Sequence, residues 1–223
     1  MPTVRVIVLN YKRPDNILQI VKAFEGFYPI TIINNNPDDN IRLPPIDLKS
    51  GKNYKPIDIL NNKTNLKCMD RWVKCFNYNE DFKLVLDDDL LPSKSLIDKM
   101  LKLNQPIVGV YGKSQVSTAN SYLELNDHWC IDADVDFLVG SVILVKQSAL
   151  NLIKEKIVKI GYPKRGDDIY ISYWLKKALR LEKLKIVSGK ILNLPEGTVG
   201  LNKNPEHFLM RWKVVEKFKN LTW

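Results

Sequence analysis

Three short apolar runs, VRVIVL at residues 4–9, ITII at 30–33 and KLVL at 83–86, each end abruptly in polar residues, and this constrains the chain more than any other feature. Runs of this length, rich in Val and Ile, suit strands buried on both faces of a sheet. The first ends in Asn10-Tyr11-Lys12-Arg13-Pro14, the second in Asn34-Asn35-Asn36-Pro37 and the third in Asp87-Asp88-Asp89. Between the first two, Asp15 is placed to cap a helix over 16–24, where Ile17, Ile20, Val21 and Phe24 recur at helical spacing. Strand, helix and strand in this order make a βαβ unit.

The pattern continues. Residues 37–56 are polar with several prolines and read as a loop, and 57–60 as a short strand. Residues 66–78 read as a helix with Met69, Trp72, Val73 and Phe76 on one face. After the aspartates, Ser93 or Ser95 caps a helix running through 103. The second half is less regular. Residues 107–111 and 135–145 are strand-like, the latter interrupted by Gly140-Ser141, where a glycine signals a bend or the close approach of another group. Residues 113–130 have no clear period. Helices are expected at 148–157, 167–184 and 206–219, and a short strand pair at 186–187 and 191–192. A length of 223 residues favours one domain. Early alternation of strands and helices argues an α/β fold with a largely parallel sheet. Ligands of such sheets bind beyond the carboxyl ends of the strands, where all three polar clusters fall.

Three consecutive carboxylates at a strand end repel, at about 4 kcal/mol per pair for a separation of about 4 Å and an effective dielectric near 20. One remedy is protonation; the other is a cation between them. In extended chain Asp87 and Asp89 share a face and Asp88 points away. Two carboxylates on one side form part of a shell for Mg²⁺ or Mn²⁺, with positions left for phosphate oxygens. The plain alternative is a solvated acidic turn with Asp89 capping the next helix.

The formal net charge of +9 draws anions: nucleotides, nucleic acid or anionic lipid. Cys68, Cys75 and Cys130 lack metal-ligand spacing and read as reduced thiols. The start MPTVRVIVLN carries no signal-peptide pattern, and no apolar run reaches the roughly 18 residues of a membrane span. The sequons at Asn62 and Asn220 carry no weight without a secretory signal. The expected location is the cytoplasm.

These motifs, in this order, resemble the nucleotide-sugar-dependent glycosyltransferases of the GT-A fold, over residues 4 to about 207. VIVLNYKRP stands for the first strand and its nucleotide loop, and ITIINNNP for the strand that ends near the base. NLKCMDRW offers the basic residues facing the diphosphate, LVLDDDLLP is the DxD strand and FLVGSVILV the segment over the donor sugar. RGDDIYISYWL is the acidic pair opening a helix, and PEHFLMRW holds a late histidine. LVLDDDLLP together with DDI is most similar to the exostosin-type transferases and their viral and bacterial relatives; NYKRP also suits the inverting transferases.

The resemblance implies a single GT-A (Rossmann-like) α/β domain with a mostly parallel central sheet flanked by helices. Residues 1–103 would be its nucleotide-binding half and 104–223 its acceptor-binding half. It implies Mn²⁺ or Mg²⁺ held by Asp89 with Asp87 and His207. The UDP- or GDP-sugar donor would be contacted by Asn10, Tyr11, Arg13, Asn34, Asn35, Lys67, Arg71, Asp87, Asp88, Gly140 and Ser141. Asp168 or Asp167 would face a glycan or lipid-linked acceptor. Tyr11 would stack on the base, and Asn35 or a neighbour would read its edge. The last helix, with Phe208, Leu209, Trp212, Val215 and Phe218 roughly on one side, either packs on the domain or lies on a membrane surface. A nucleotidyltransferase acting on a sugar phosphate is the nearest rival, but NYKRPDN lacks its glycine-rich phosphate loop. A dehalogenase-type phosphatase would carry its DxD after the first strand, and a basic nucleic-acid-binding module leaves the aspartates unexplained.

Overall fold

The computed structural model describes residues 2–43, 55–195 and 205–219. In chain order the strands and helices of its first half are β1 (Val4–Asn10), α1 (Pro14–Phe24), β2 (Ile30–Asn34), β3 (Ile57–Asn61), α2 (Asp70–Cys75), β4 (Phe82–Asp87), β5 (Leu90–Pro92) and α3 (Lys94–Leu103). There follow β6 (Ile107–Gly109), β7 (Tyr111–Ser114), β8 (Asn126–Trp129), β9 (Ala133–Val135), β10 (Phe137–Leu138), β11 (Val142–Lys146), α4 (Gln147–Ile160), α5 (Asp167–Leu179), β12 (Leu184–Ile186), β13 (Ile191–Asn193) and α6 (Pro205–Lys219).

The main sheet has eight strands in the order β3-β2-β1-β4-β11-β6-β12-β9. β3, β2, β1 and β4 are mutually parallel; β11 runs against both β4 and β6, and β12 is parallel to β6, so only β11 and β9 oppose the rest. The two-residue period of β1 explains how the sheet is covered. Val4, Val6 and Val8 face one cluster with Ile17, Ile20 and Phe24 of α1 and Ile97 and Met100 of α3. Ile7 faces the other with Trp72, Leu150, Ile153 and Val215. Both faces are therefore apolar, as the unbroken strand runs require.

Several local expectations change. α1 begins at Pro14, whose fixed φ and missing N–H suit the first helical position, so Asp15 lies inside the helix rather than at its cap. The helix expected over 66–78 contracts to Asp70–Cys75; Lys67, with a left-handed φ of 62°, keeps its start from reaching back to 66. The strand expected over 135–145 breaks into β9, β10 and β11, which serve two sheets: β9 and β11 the main sheet, and β10 a small sheet with β7 and β8. The two short runs near 186 and 191 do not pair with each other: β12 joins the main sheet and β13 pairs with β5. α5 stops at Leu179, where Arg180 turns left-handed at φ 53°. Ser93 caps α3, accepting from the Leu96 N–H at 3.3 Å. Of the loop expected over 37–56, residues 44–54 lie outside the described residues.

The apolar stripe of α6 turns inward. Trp212, Val215 and Phe218 are buried, Phe218 stacks on Tyr173 at 4.5 Å between centroids, and Leu209 is the exposed member. Among the described residues no helix is long and apolar enough to cross a membrane.

Candidate active site at the strand ends

The carboxyl ends of β1, β2 and β3 are held together by the polar residues that terminate them. The Asn10 side chain donates to Asn34 Oδ1 at 2.9 Å, and Asn34 Nδ2 donates to Asn61 Oδ1 at 2.9 Å. Both amides are buried and tie three strands into one rim; neither lines the cavity above it. In this structure the Asn10 and Asn34 side chains are engaged in these ties between strands.

Above the rim lies a cavity of about 720 Å³. Tyr11, Arg13, Asn35, Lys67 and Arg71 line it from the first half, with all three aspartates; Gly140, Ser141, Asp167, Asp168 and His207 line it from the second. Asn35 is already engaged, donating to the Lys67 carbonyl at 2.9 Å and accepting from Asn62 at 2.7 Å. It therefore fixes the left-handed turn that carries Lys67 more than it offers a free amide. Asn65, which accepts from the Lys67 N–H at 2.9 Å, lines the cavity beside it.

The aspartates divide by accessibility. Asp88 is turned inward, its side chain 6% exposed, and accepts from the Tyr11 N–H at 2.8 Å and from Arg13. It clips the loop after β1 to the end of β4. Asp87 and Asp89 keep 35% and 24% of their side chains exposed. Arg71 donates to Asp87, and Arg13 Nη1 reaches Asp89 at 3.0 Å. Burial pushes the Asp87 carboxyl up to about 6 against the pull of Arg71, and neighbouring Asp89 and Asp167 add to the rise. Burial likewise pushes Asp88 up to about 6 against Arg13 and the Tyr11 N–H.

Two carboxylates that open onto one cavity and repel each other are a fitting donor set for a hard divalent cation that keeps positions for phosphate oxygens. Among the described residues no three His, Cys, Asp or Glu side chains converge as a ligand group, so His207 lines the cavity without completing a triad with Asp87 and Asp89. Its Nδ1 is buried without a hydrogen-bond partner, and burial with the charges of Arg211 and Arg165 pushes the imidazole down to about 4, leaving it neutral.

The acidic pair opens α5 after Gly166, which sits at φ 80°. Asp167 Oδ2 accepts from Arg71 Nε at 3.1 Å, Arg71 Nη2 at 2.9 Å and the Trp72 indole at 2.8 Å. Asp168 Oδ2 accepts from Arg211 Nη2 at 2.7 Å and from the Gly140 N–H. Burial raises the Asp168 carboxyl, but Arg211, the Gly140 N–H and Arg71 outweigh it and hold the group below its ordinary value. A Cβ at Gly140 would come within 2.5 Å of Arg71 Nη2, so a larger residue there would have to displace that guanidinium.

Sequence reasoning missed Arg211, Arg165, Tyr122, Tyr111 and Trp129, all of which line the cavity. Arg211 had a signal. It stands four residues after His207 on a helix, hence on the same face. Tyr111 and Trp129 are paired across β7 and β8 and meet edge-to-face at 5.3 Å, a contact that the aperiodic middle segment did not disclose.

No protein-family model and no curated protein sequence matches the chain. Solved structures do. The chain is similar to S. aureus TarS 1–349 in complex with UDP-GlcNAc, at 12% identity and a TM-score of 0.55, over 90% of this chain and 61% of that one. Against another structure of S. aureus TarS it gives 13% identity and a TM-score of 0.53 over 86% of this chain and 37% of that one. The chain thus spans less than two thirds of the proteins it resembles. At such identity the likeness speaks of fold: mixed α/β, a large mostly parallel sheet flanked by helices, of the GT-A-like kind.

Proposed function

We propose that this chain is a glycosyltransferase that moves a sugar from a nucleoside diphosphate sugar to an acceptor hydroxyl. The observation that carries the reading is a single cavity, at the carboxyl ends of the strands, into which the DDD turn, the basic residues of the first half and the acidic pair of α5 all open. The fold shared with TarS, which binds UDP-GlcNAc, supports a UDP-sugar as the first donor to assay. The narrower kinship with exostosin-type transferases rests on LVLDDDLLP and DDI alone.

In this reading residues 1–103 serve the nucleotide and 104–223 the acceptor, a glycan or a lipid-linked one. Tyr11 offers a ring to the base, and Lys67 and Arg13 bring positive charge to the diphosphate. Asp87 and Asp89 would hold Mn²⁺ or Mg²⁺, whose chemistry is to neutralise the charge gained by the departing diphosphate. Asp168, ionised and at a helix start where negative charge is favoured, would take the proton of the attacking hydroxyl. The location proposed is the cytoplasm, and with the apolar side of α6 packed inward, any membrane contact falls to its exposed Leu209 and lysines.

Thermal denaturation tests the proposal. UDP or GDP with Mn²⁺ should raise the melting temperature, and an oligonucleotide should not. Asp89→Ala should keep the fold and lose both the nucleotide-dependent stabilisation and turnover of UDP-GlcNAc. Stabilisation by the oligonucleotide alone would instead favour a nucleic-acid-binding module.

A further inference from the structure

The carboxylate proposed to act on the acceptor is held by a residue that arrives from the far end of the chain. We infer that Arg211, carried on α6, is a positioning residue for Asp168: it fixes one carboxylate oxygen and keeps the group aimed for proton uptake. The inference deepens the glycosyltransferase reading and rests on it for the word catalysis, but the contact stands on geometry. Arg211 is 5% and Asp168 1% exposed, and their separation is 2.7 Å. A buried charged pair of this kind is costly to form, and α6 is held by apolar burial as well. Trp212, Val214, Val215 and Phe218 already bury that helix. Val214 lies over Gly166, where a Cβ would approach it to 3.1 Å, so α6 is seated on the very turn that launches α5 and the acidic pair.

The division of labour at the carboxylate is specific. Oδ2 takes both Arg211 and the Gly140 N–H, while Oδ1 takes the Ile169 N–H at 2.9 Å and retains acceptor capacity for a hydroxyl. Other groups face Asp168 as well. Arg71 stands on α2 with Cys68 just before it, Tyr122 lies in the short 3₁₀ turn Tyr122–Glu124, His207 sits one turn before Arg211, and Asp167 is the chain neighbour. Of these, Arg71 is committed to Asp87 and Asp167. Arg211 has the Asp168 carboxylate as its ion-pair partner and otherwise stacks over Tyr122, with 4.8 Å from Cζ to the ring centroid.

Carbon-13 NMR of the aspartate carboxyls in the whole chain tests this, with the Asp168 resonance assigned by its loss in Asp168→Asn. In the wild type that resonance should keep its ionised position from pH 8 down to pH 5. In Arg211→Met the midpoint should rise by at least about one pH unit. Arg211→Gln, which keeps a donor and a similar stem, serves if the methionine variant does not fold, and should show the same rise. An unchanged midpoint in a folded variant of either kind overturns the inference and leaves the pair as a structural tie. With UDP-GlcNAc as the probe substrate, Arg211→Gln should lower kcat roughly tenfold or more with little change in the donor KM. The resonance reads the pair whether or not sugar is transferred, so a shifted midpoint beside an Asp168→Asn variant of full activity would sink the catalytic role while the contact stands.

Discussion

Arg71→Met is the most informative single change, because Arg71 ties the two halves of the site together. Its side chain is 3% exposed, and it pairs with Asp87 from β4 and Asp167 from α5. Burial disfavours its charge, yet the two carboxylates outweigh burial and hold it protonated. Methionine has nearly the same stem, so little space opens, and the loss is electrostatic. Asp87, 35% exposed, is relieved by water, whereas Asp167, 5% exposed, would be left with the Trp72 indole as its side-chain donor among the described residues. A buried carboxylate stripped of its partner costs about 3–5 kcal/mol. At about 2–4 °C per kcal/mol for a chain of this size, the melting temperature should fall by roughly 10 °C. The check is a double-mutant cycle by thermal or urea denaturation. Asp167→Asn, introduced into Arg71→Met, should recover about half of the loss, because an amide leaves no buried charge. If Arg71→Met costs under about 1 kcal/mol, or if Asp167→Asn adds its own loss instead of offsetting the first, the ion pair is not what joins the halves.

Gly140→Ala should displace the Arg71 guanidinium from its seat and destabilise the protein by about 1–3 kcal/mol, read by urea denaturation; the same substitution at Gly26, where a Cβ would meet nothing within 4 Å, is the control. Glu80 gives a pH signature. Burial raises its carboxyl, but the Arg5 hydrogen bond, a backbone N–H and the charges of Arg5 and Lys83 hold it below its ordinary value. Its contribution is therefore complete above the ordinary range near 4.3 and is lost as pH falls through the depressed value. The melting-temperature gap between the wild type and Glu80→Gln should be widest near pH 7 and close below about pH 4; a gap that widens in acid would contradict the sign. Burial pushes the Cys75 thiol up to about 12, so it should resist alkylation at pH 8 until the protein unfolds, as mass spectrometry of the labelled peptides would show.

The parallel half of the sheet was legible because its strands are buried on both faces: Val4, Val6 and Ile7, or Ile30, Ile32 and Ile33, need no partner to announce a strand. The same holds for α3, whose cap residue Ser93 is visible in sequence. Local pattern failed where tertiary geometry overrode it. Lys67 gives up helical φ to hold the turn that Asn35 ties down, and the run over 135–145 looks continuous although Gly140 must turn to admit Arg71. The small sheet of β10, β7 and β8 was invisible because its strands are two to four residues long, too short for any period to appear.

At the aspartate turn the charges of the sequence meet cations that only the fold brings near. Repulsion among Asp87, Asp88 and Asp89 left protonation or a cation as remedies in the sequence, with a metal as the cation; the fold supplies Arg13 and Arg71 first. With Asp167 and Asp168, five carboxylates line the cavity against the guanidiniums of Arg13, Arg71 and Arg211 that pair with them. Two negative charges remain, and they belong to the cluster whose most accessible members are Asp87 and Asp89. That residue is what a divalent cation would cancel. Lys67 and Arg165 line the same cavity and make no salt bridge among the described residues, so in the proposed reading their charge would face the diphosphate. In the proposed reading a site poised near neutrality by internal arginines would bind neither partner strongly alone, while cation and diphosphate together would preserve the balance. Mn²⁺ without nucleotide should therefore stabilise the chain far less than Mn²⁺ with UDP, and equal stabilisation by the bare ion would mean that the arginines do not screen the aspartates.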